Sequence, residues 1–326
     1  MAEITLVKAL NQALRDALAE DDRALVLGED VGRLGGVFRV TDGLQDEFGT
    51  GRVFDTPLAE SAIAGVSLGM ALAGWHPVSE MQFDGFSYPA LDQVISHIAK
   101  YRFRSRGRQP VPLVIRIPYA GGVGAAEHHS ESPEAYYAHT AGLKVVVPSS
   151  PVDAYHLLRS SIADPDPVIF FEPKSRYWSK EDGELSTNGA PPIGTGRIVR
   201  PGTDCTVVSY GAMVARSLAA AARASEEQGI EVQVVDLRSL VPLDLDLLSE
   251  SVRRTGRAVV VHEAPMTAGF GAEVVARIVE DCFDYLEAPV LRVTGWDIPY
   301  PPATLESHYL PSVDRVLGAI ERVTGY

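Results

Sequence analysis

The amino-acid sequence predicts an α/β fold divided into two domains. Short β-branched runs alternate with segments of helical periodicity, a pattern typical of a mostly parallel sheet with helices on its faces. The alternation is interrupted over residues 173–202, where proline, glycine and charged residues are abundant. The length of 326 residues also suits two domains of roughly 150 residues each.

The first set of elements precedes this interruption. We predict its strands at 24–29, 76–83, 112–118, 143–148 and 167–172, and its helices at 5–20, 57–73, 88–104 and 151–163. These elements are expected to form an N-terminal α/β domain over residues 1–185. A linker is predicted at 186–202.

The second set of elements follows the linker. We predict its strands at 205–211, 231–240, 257–264 and 289–295, and its helices at 213–228 and 271–283. These elements are expected to form a smaller C-terminal α/β domain over residues 203–326.

Composition excludes several classes of partner. The formal net charge of -14 argues against nucleic acid and anionic membranes, because both require clustered Lys and Arg. Two cysteines, Cys205 and Cys282, imply no disulfide framework and indicate a reducing compartment. The N-terminus lacks signal-peptide features, and the apolar run at 62–75 is too short to cross a bilayer. We therefore expect a cytoplasmic protein.

A single carboxylate stands near the start of the helix predicted at 57–73. Thr56 is predicted as its N-cap and Pro57 as its first residue. Glu60 then opens a long apolar run, and no residue three or four positions away from it is basic. If this end is buried, the charge needs a partner that the local sequence does not supply.

Small residues recur every fourth position along the same helix, at Ser61, Gly65, Gly69 and Ala73. Glycine inside a helix costs about 1 kcal/mol relative to alanine, so close approach of another backbone is expected to compensate. That backbone belongs either to the same domain or to another subunit, and the sequence leaves both open.

The segment GVSLG at 65–69 matches the G-x-S-x-G nucleophile elbow of serine hydrolases. An elbow needs a strand that ends just before its serine, whereas Ser67 lies inside a helical pattern. A serine hydrolase acting through Ser67 is therefore a distant alternative class.

Adjacent histidines follow a glycine-rich segment, GGVG at 121–124. After His128 and His129 in the sequence, Ser132 is predicted to cap a helix that begins at Pro133. Three interpretations stay open for the histidines: surface side chains, a metal site, or a proton-handling group in a glycine-lined site. Adjacent histidines in an extended loop point to opposite sides, which disfavours the metal site.

Several long motifs occur in order along nearly the whole chain, among them LGEDVGRLGGVFRV, RVFDTPLAESAIAG, MQFDGFSYPALDQ, HHSESPEAYYAH, FFEPK and TGRAVVVHEAP. In these motifs the chain resembles the β subunit of the thiamine-diphosphate-dependent 2-oxoacid dehydrogenases (decarboxylating). The branched-chain enzyme is nearest, and the pyruvate enzyme is the alternative. The resemblance implies a transketolase-like pyrimidine-binding domain followed by a transketolase-like C-terminal domain. It also implies oxidative decarboxylation of a small 2-oxoacid with reductive acylation of a lipoyl group.

The resemblance also implies roles for single residues. Glu60 matches the glutamate that reaches the aminopyrimidine ring of thiamine diphosphate, which would be its missing partner. His129 matches the histidine that serves reductive acylation. The other matched positions lie beside the cofactor or the acyl group: Glu29, Leu58, Gln82 and Phe86 for the cofactor, and Tyr119 for the acyl pocket.

Some members of this family hold a structural potassium ion in the β subunit. The matching positions here are the main-chain carbonyls of Val111, Leu113, Val114 and Ser161, together with Asp164 and Asp166. Oxygen ligands suit a hard cation of this kind.

Partners follow from what the chain lacks. These enzymes bind Mg²⁺ and the diphosphate through a GDG motif, and no GDG occurs here. The resemblance therefore implies an α subunit that holds the metal and diphosphate, in a heterotetramer of two α and two β subunits. It also implies a lipoyl-bearing dihydrolipoyl acyltransferase, whose basic domain would meet the acids Glu280, Asp281, Asp284 and Glu287. A noncatalytic scaffold subunit is a further alternative, in which Glu60→Gln would leave activity intact.

Overall fold

The computed structural model describes residues 3–183, 185–186 and 189–326, so parts of the predicted linker and N-terminal domain lie outside the described residues. The strands are β1 Glu3–Thr5, β2 Ala24–Gly28, β3 Val53–Asp55, β4 His76–Glu80, β5 Val114–Tyr119, β6 Lys144–Val146, β7 Val168–Pro173, β8 Lys180–Asp182, β9 Arg197–Arg200, β10 Cys205–Ser209, β11 Val232–Asp236, β12 Ser239–Val241, β13 Ala258–Pro265 and β14 Leu291–Gly295. The α-helices are α1 Leu6–Glu20, α2 Leu44–Phe48, α3 Glu60–Leu72, α4 Leu91–Gln93, α5 Ala99–Arg104, α6 Glu134–Ala138, α7 Pro151–Ala163, α8 Met213–Gln228, α9 Leu245–Thr255, α10 Gly271–Cys282, α11 Glu306–Tyr309 and α12 Val313–Thr324.

Two mostly parallel sheets organise the described part of the chain. The larger has seven strands in the order β12-β6-β7-β5-β4-β2-β3, and all its pairings are parallel except that of β12 with β6. The smaller has five strands in the order β14-β13-β10-β11-β9, with β9 antiparallel to β11. This architecture confirms the predicted two-domain α/β class.

Near the predicted domain boundary, the chain passes from one sheet to the other more than once. The strand predicted at 231–240 is divided, because Arg238 adopts a positive φ of 55° between β11 and β12. β11 stays in the smaller sheet, and β12 joins the larger one. β9 lies inside the stretch predicted as linker. The boundaries at residues 185 and 203 stay predictions.

The helices that pack on the larger sheet follow their sequence signals closely. Thr5 caps α1 by accepting a hydrogen bond from the Lys8 amide at 3.3 Å. Ser150 caps α7 and Pro151 opens it, as the fixed φ of proline favours. α1 and α7 pack against each other through buried leucines.

Two predicted helix starts are wrong. α3 begins at Glu60 after Ala59, because the Thr56 amide donates to the Gly28 carbonyl at 2.9 Å and keeps the chain extended. The Thr56 hydroxyl therefore does not cap the helix. α6 begins at Glu134 after Pro133, without a side-chain cap from Ser132.

The helix predicted at 88–104 starts earlier than expected and is irregular. A 3-10 turn spans Asp84–Ala90, and a π-helical turn spans Val94–Ile98 between α4 and α5. The 3-10 turn contains Pro89, which the predicted start did not take into account. Its first residue, Asp84, lies four positions after the last residue of β4.

Candidate active site

Four neighbouring parallel strands end at one edge of the larger sheet, in the order β7-β5-β4-β2. In parallel α/β sheets, ligands bind beyond the carboxyl ends of the strands. Glu29 follows β2, Gln82 and Phe83 follow β4, the loop that carries His129 follows β5, and Lys174 follows β7. The topology therefore assembles residues separated by up to 145 positions along one edge.

Two carboxylates lie close enough to repel each other at the β2 end of this edge. Glu29 is buried, no side chain among the described residues hydrogen-bonds its carboxylate, and the Ala59 backbone amide lies close to it. Burial, and then the negative charge of Glu60, raise the pKa of Glu29 to about 7. Glu60 is half-buried at the first turn of α3 and makes no hydrogen bond or ion pair to any described residue. Both acids are thus placed to meet a polar group from outside the chain.

Gln82 connects this acid pair to the next strand end. Its side-chain amide donates to the Asp30 carboxylate at 2.8 Å, next to Glu29 in the chain. Leu58, two residues before α3, leaves 76% of its surface exposed. Gln82 is thus tied to the residue after Glu29, and Leu58 is an exposed apolar side chain two positions before Glu60.

His129 lies in an aromatic cage beyond the end of β4. Its ring centroid is 4.0 Å from that of Phe83 and 5.1 Å from that of Phe86. The Nδ1 atom is buried without a partner in the described part of the chain. Burial, and then the positive charges of His128 and Lys174, lower the pKa of His129. The imidazole is therefore neutral at pH 7 and able to take up or give a proton.

A buried ion pair lies next to the Phe83 ring of this cage. The Lys174 ammonium donates to Asp84, and both side chains are fully buried. The second Asp84 oxygen accepts from the Glu131 amide at 2.7 Å. Lys174 also lies 5.7 Å from the centre of the Phe83 ring, within range of a cation–π contact. Burial raises the pKa of Asp84 to about 6 and lowers that of Lys174, while their mutual attraction opposes both shifts.

The sequence analysis assigned many of the residues along this edge, but not the residues that pack beneath them. Glu29, Glu60, Gln82, Phe86 and His129 all lie along it. It did not assign Phe83, Asp84 or Lys174. A signal existed for Lys174, because it comes three residues after the apolar run VIFF, just past the end of a strand, where a buried lysine needs an acid.

Tyr119 lies away from the aromatic cage, at the contact between the two sheets' domains. Its ring packs 5.0 Å from Phe171, and its hydroxyl would lie 2.5 Å from a Cβ added at Gly211. It is 2% exposed. Its packing gives no support to a role in sizing the acyl group, which stays a prediction.

The two carboxylates matched to potassium ligands form ion pairs with basic side chains of this chain. Lys144 donates to both Asp164 oxygens at 2.7 Å and lies 3.4 Å from Asp166, which Arg102 contacts at 3.1 Å. The Leu113 and Ser161 carbonyls accept hydrogen bonds from Val168 and Asp164. Both carboxylates are thus paired with basic side chains in this structure, and potassium binding by Asp164, Asp166 and the carbonyls of Val111, Leu113, Val114 and Ser161 stays a prediction.

The packing of Ser67 decides the serine hydrolase alternative. Ser67 is fully buried in α3, and its hydroxyl donates to the Ile63 carbonyl at 2.7 Å, so it is not a nucleophile and the serine hydrolase alternative is wrong. Among the described residues there is no group of three or more His, Cys, Asp or Glu placed to hold a metal ion.

Comparisons with known proteins agree with this geometry. The family model "Transketolase, pyrimidine binding domain" matches residues 2–179, and "Transketolase, C-terminal domain" matches residues 194–316. The chain is 24% identical to "Split gene transketolase, inactive beta4 tetramer", with a TM-score of 0.81 over 99% of this chain and 98% of that one. This likeness shows the fold. Within the residues described, no helix has the length and apolarity to span a membrane.

Curated relatives narrow the class further. The 3-methyl-2-oxobutanoate dehydrogenase subunit beta of Mycobacterium tuberculosis (strain CDC 1551 / Oshkosh) is 58% identical over 98% of this chain and 92% of its own length. The pyruvate dehydrogenase E1 component subunit beta of Leifsonia xyli subsp. xyli is 54% identical over 99% and 95%. The 2-oxoisovalerate dehydrogenase subunit beta of Pseudomonas aeruginosa is 45% identical over 99% and 95%.

Fold and site together define a two-domain protein of the transketolase type with a pyrimidine-binding domain. Within that class, the chain belongs to the family of β subunits of the thiamine-diphosphate-dependent 2-oxoacid dehydrogenases. The family and fold predicted from the motifs are confirmed.

Proposed function

We propose that this chain is the β subunit of the first component of a 2-oxoacid dehydrogenase complex. The reaction is oxidative decarboxylation of a branched-chain 2-oxoacid with transfer of the acyl group to a lipoyl arm. The neighbouring acids Glu29 and Glu60, which no side chain among the described residues hydrogen-bonds or neutralises, are the observation that carries this proposal. The relative of highest identity cited above, at 58%, is named for a branched-chain substrate.

The site residues suit the pyrimidine end of thiamine diphosphate. A partly buried carboxylate without a partner can accept a hydrogen bond from, and share a proton with, a ring nitrogen. Glu60 would hold that proton, and Glu29 beside it has a pKa raised to about 7 by burial and by the Glu60 charge. Phe86 would offer an apolar ring face, Gln82 a polar amide and Leu58 an exposed apolar side chain to the cofactor. The bound cofactor supplies the carbanion chemistry that decarboxylation requires.

His129 would serve the second half of the reaction. Its caged, neutral imidazole can hold or give a proton at a sulfur atom of the lipoyl arm. The Phe83 and Phe86 rings fix its plane, so the nitrogen that moves the proton has a defined direction.

An α subunit would complete the site with Mg²⁺ and the diphosphate-binding residues, in a two-α, two-β heterotetramer. Support comes from the exposed face of α3. Ser61, Gly69 and Ala73 face solvent, and nothing lies within 4 Å of a Cβ added at Gly69. Val66, beside them, is 50% exposed. Among the described residues, Gln93 approaches this face only at Gly65, where an added Cβ would lie 3.6 Å from its side chain, so packing against another subunit is the preferred explanation.

A lipoyl-bearing acyltransferase would dock on the C-terminal domain. Glu280, Asp281, Asp284 and Glu287 are all exposed along the end of α10 and the following turn. Glu280 pairs with Arg277 and Glu287 with Arg257, whereas the Asp284 carboxylate makes no ion pair to a described residue. A basic partner domain fits this acidic surface.

Reconstitution tests the proposal. The chain is purified with its candidate α subunit and assayed with 4-methyl-2-oxopentanoate and with pyruvate, in the presence of thiamine diphosphate and Mg²⁺. We expect activity that requires both chains and prefers the branched acid. One methylene in an apolar pocket is worth only about 1–3 kcal/mol, so the pyruvate rate will be lower but measurable. A preference for pyruvate would select the pyruvate dehydrogenase alternative, and full activity of the α subunit alone would contradict the proposal. We also propose a cytoplasmic location. Both cysteines are buried free thiols, which is typical of proteins in a reducing compartment.

A further inference from the structure

The loop that carries His129 runs from Ala120 to Glu131 and is closed at its neck. The Ala120 amide donates to the Glu131 carbonyl at 2.8 Å. Ala120 itself has a positive φ of 68°, which a residue with a Cβ adopts only when surrounding contacts impose it. The tip, Gly121–Gly124, extends toward the C-terminal domain and is mostly exposed.

Side chains of the C-terminal domain hold this tip. The Glu306 carboxylate accepts from the Gly122 amide at 2.9 Å and from the Gly124 amide at 3.2 Å. The Tyr300 hydroxyl donates to the same carboxylate at 2.8 Å. Glu263 accepts from the Gly121 amide at 2.5 Å. Three backbone donors of one loop tip are therefore satisfied from the other domain.

The glycines make this contact feasible. A Cβ at Gly121 would lie 1.6 Å from the Tyr300 hydroxyl, so no side chain fits there. Gly122 and Gly124 have positive φ values of 82° and 70°, which turn their amides toward Glu306. The backbone amides of the glycine-rich GGVG segment thus bind a carboxylate of the C-terminal domain.

The opposite side of the loop is fixed by the N-terminal domain. Gly85 lies so close to the loop that a Cβ there would be 2.3 Å from the His128 carbonyl oxygen. Phe83 and Phe86 then contact the His129 ring. The loop is clamped between the cage on one side and Glu306 on the other.

We propose that Glu306, supported by Tyr300, is a positioning residue for His129. By holding the Gly122 and Gly124 amides, Glu306 fixes the loop in the conformation that directs the imidazole to the active site. The C-terminal domain therefore determines the efficiency of acyl transfer to the lipoyl arm, although it lies outside the decarboxylation site. This inference rests on the role proposed for His129.

The test separates the two half-reactions in the reconstituted α/β enzyme. Decarboxylation is followed with an artificial electron acceptor, and acyl transfer is followed as mass gain of an isolated lipoyl domain. We expect Glu306→Ala to slow acyl transfer about tenfold or more, since small misplacements of a catalytic group are costly, while decarboxylation stays within about twofold. Glu306→Gln keeps one acceptor oxygen and should fall between wild type and Glu306→Ala. Deuterium exchange at residues 121–131 should quicken in the same order.

Glu250→Gln, an exposed change on α9 of the same domain, is the matched control and should alter neither rate. Equal losses of both rates, or unchanged acyl transfer in Glu306→Ala, would overturn the inference. His129→Ala is measured in parallel. If it alone loses acyl transfer, the proposed function stands and the role of Glu306 falls; if it keeps acyl transfer, the proposed role of His129 and the inference fall together.

Discussion

At the scale of single residues, the site depends on charges whose partners come from distant parts of the chain. The sequence marked Glu60 as an acid without a local cation, and the structure places a second acid, Glu29, beside it. The same logic explains Lys174, whose buried ammonium is neutralised by Asp84 from another strand end. A buried charge without its partner is strongly destabilising, so each such residue predicts a partner even where the sequence cannot say which.

The raised pKa of Glu29 predicts a pH-dependent stability. The unfolded carboxyl group ionises above its ordinary value of 4.5, whereas the folded one keeps its proton up to about 7. The contribution of Glu29 to stability is therefore complete below pH 4.5 and is lost as pH rises through about 7. Glu29→Gln cannot ionise, so at pH 8 the isolated variant should melt higher than wild type, by about 2–4 °C for each kcal/mol recovered.

Melting temperatures of wild type and Glu29→Gln between pH 4.5 and 8 check this expectation. The two curves should meet at low pH and separate as pH rises. A residual slope is expected in the variant, because burial also raises the pKa of Glu134, Asp236 and Glu263 to about 7. Parallel curves across the whole range would show that Glu29 ionises normally in the folded chain.

At the scale of elements, periodicity predicted most strands and the long helices, and local chemistry misled at their ends. α3 starts four residues after Thr56 because the backbone of that residue bonds to β2, a contact that no local pattern reveals. The helices α9 and α12 were missed, although α12 carries a serine cap and buried residues at helical spacing. The sequence does contain a signal for α12, because Ser312 is a typical N-cap and is followed by apolar residues at helical spacing: Val316, Leu317, Ile320 and Val323.

The exposed small-residue face of α3 predicts separate effects on folding and assembly. Gly69→Leu meets open space in this chain and removes a helix glycine, so the isolated subunit should gain up to about 1 kcal/mol of stability. If the α subunit packs on this face, the larger side chain should weaken assembly at least about tenfold, because close packing does not accept added volume. Analytical ultracentrifugation with the α subunit measures the second effect.

Gly318 offers the matched control. It lies inside α12, is exposed and also has nothing within 4 Å of an added Cβ. Gly318→Leu should stabilise the isolated chain similarly and leave assembly unchanged. Normal assembly of Gly69→Leu would move the subunit contact away from this face of α3.

At the scale of the whole molecule, the site exists only because parallel strands bring their ends together. Arg116 on β5 donates to Glu172 on β7 at 2.6 Å and to Glu80 on β4 at 2.7 Å, and all three are buried. This network ties the strands that present Gln82, His129 and Lys174. The fold class could be predicted from alternation and order of motifs, but these long-range pairings could not, since a sequence does not state which strands are neighbours.

The acidic surface of the C-terminal domain predicts a docking defect that leaves chemistry intact. Glu280→Lys combined with Asp284→Lys should weaken binding of the acyltransferase about tenfold or more and reduce its salt dependence, because opposite charges would become like charges. Binding is measured by calorimetry at two salt concentrations. Asp22→Lys with Glu226→Lys changes net charge equally at exposed positions elsewhere and should bind normally. Equal binding by both double variants would exclude this surface.

The most direct test of the account is the decarboxylation rate of Glu60→Gln in the reconstituted α/β enzyme with thiamine diphosphate and Mg²⁺. The amide cannot hold the proton that we assign to Glu60, so the rate should fall by about 10²–10⁴-fold while assembly stays normal. Glu250→Gln should keep the wild-type rate. A Glu60→Gln enzyme that assembles and retains its rate within about threefold would contradict the account and favour a noncatalytic scaffold role for this chain.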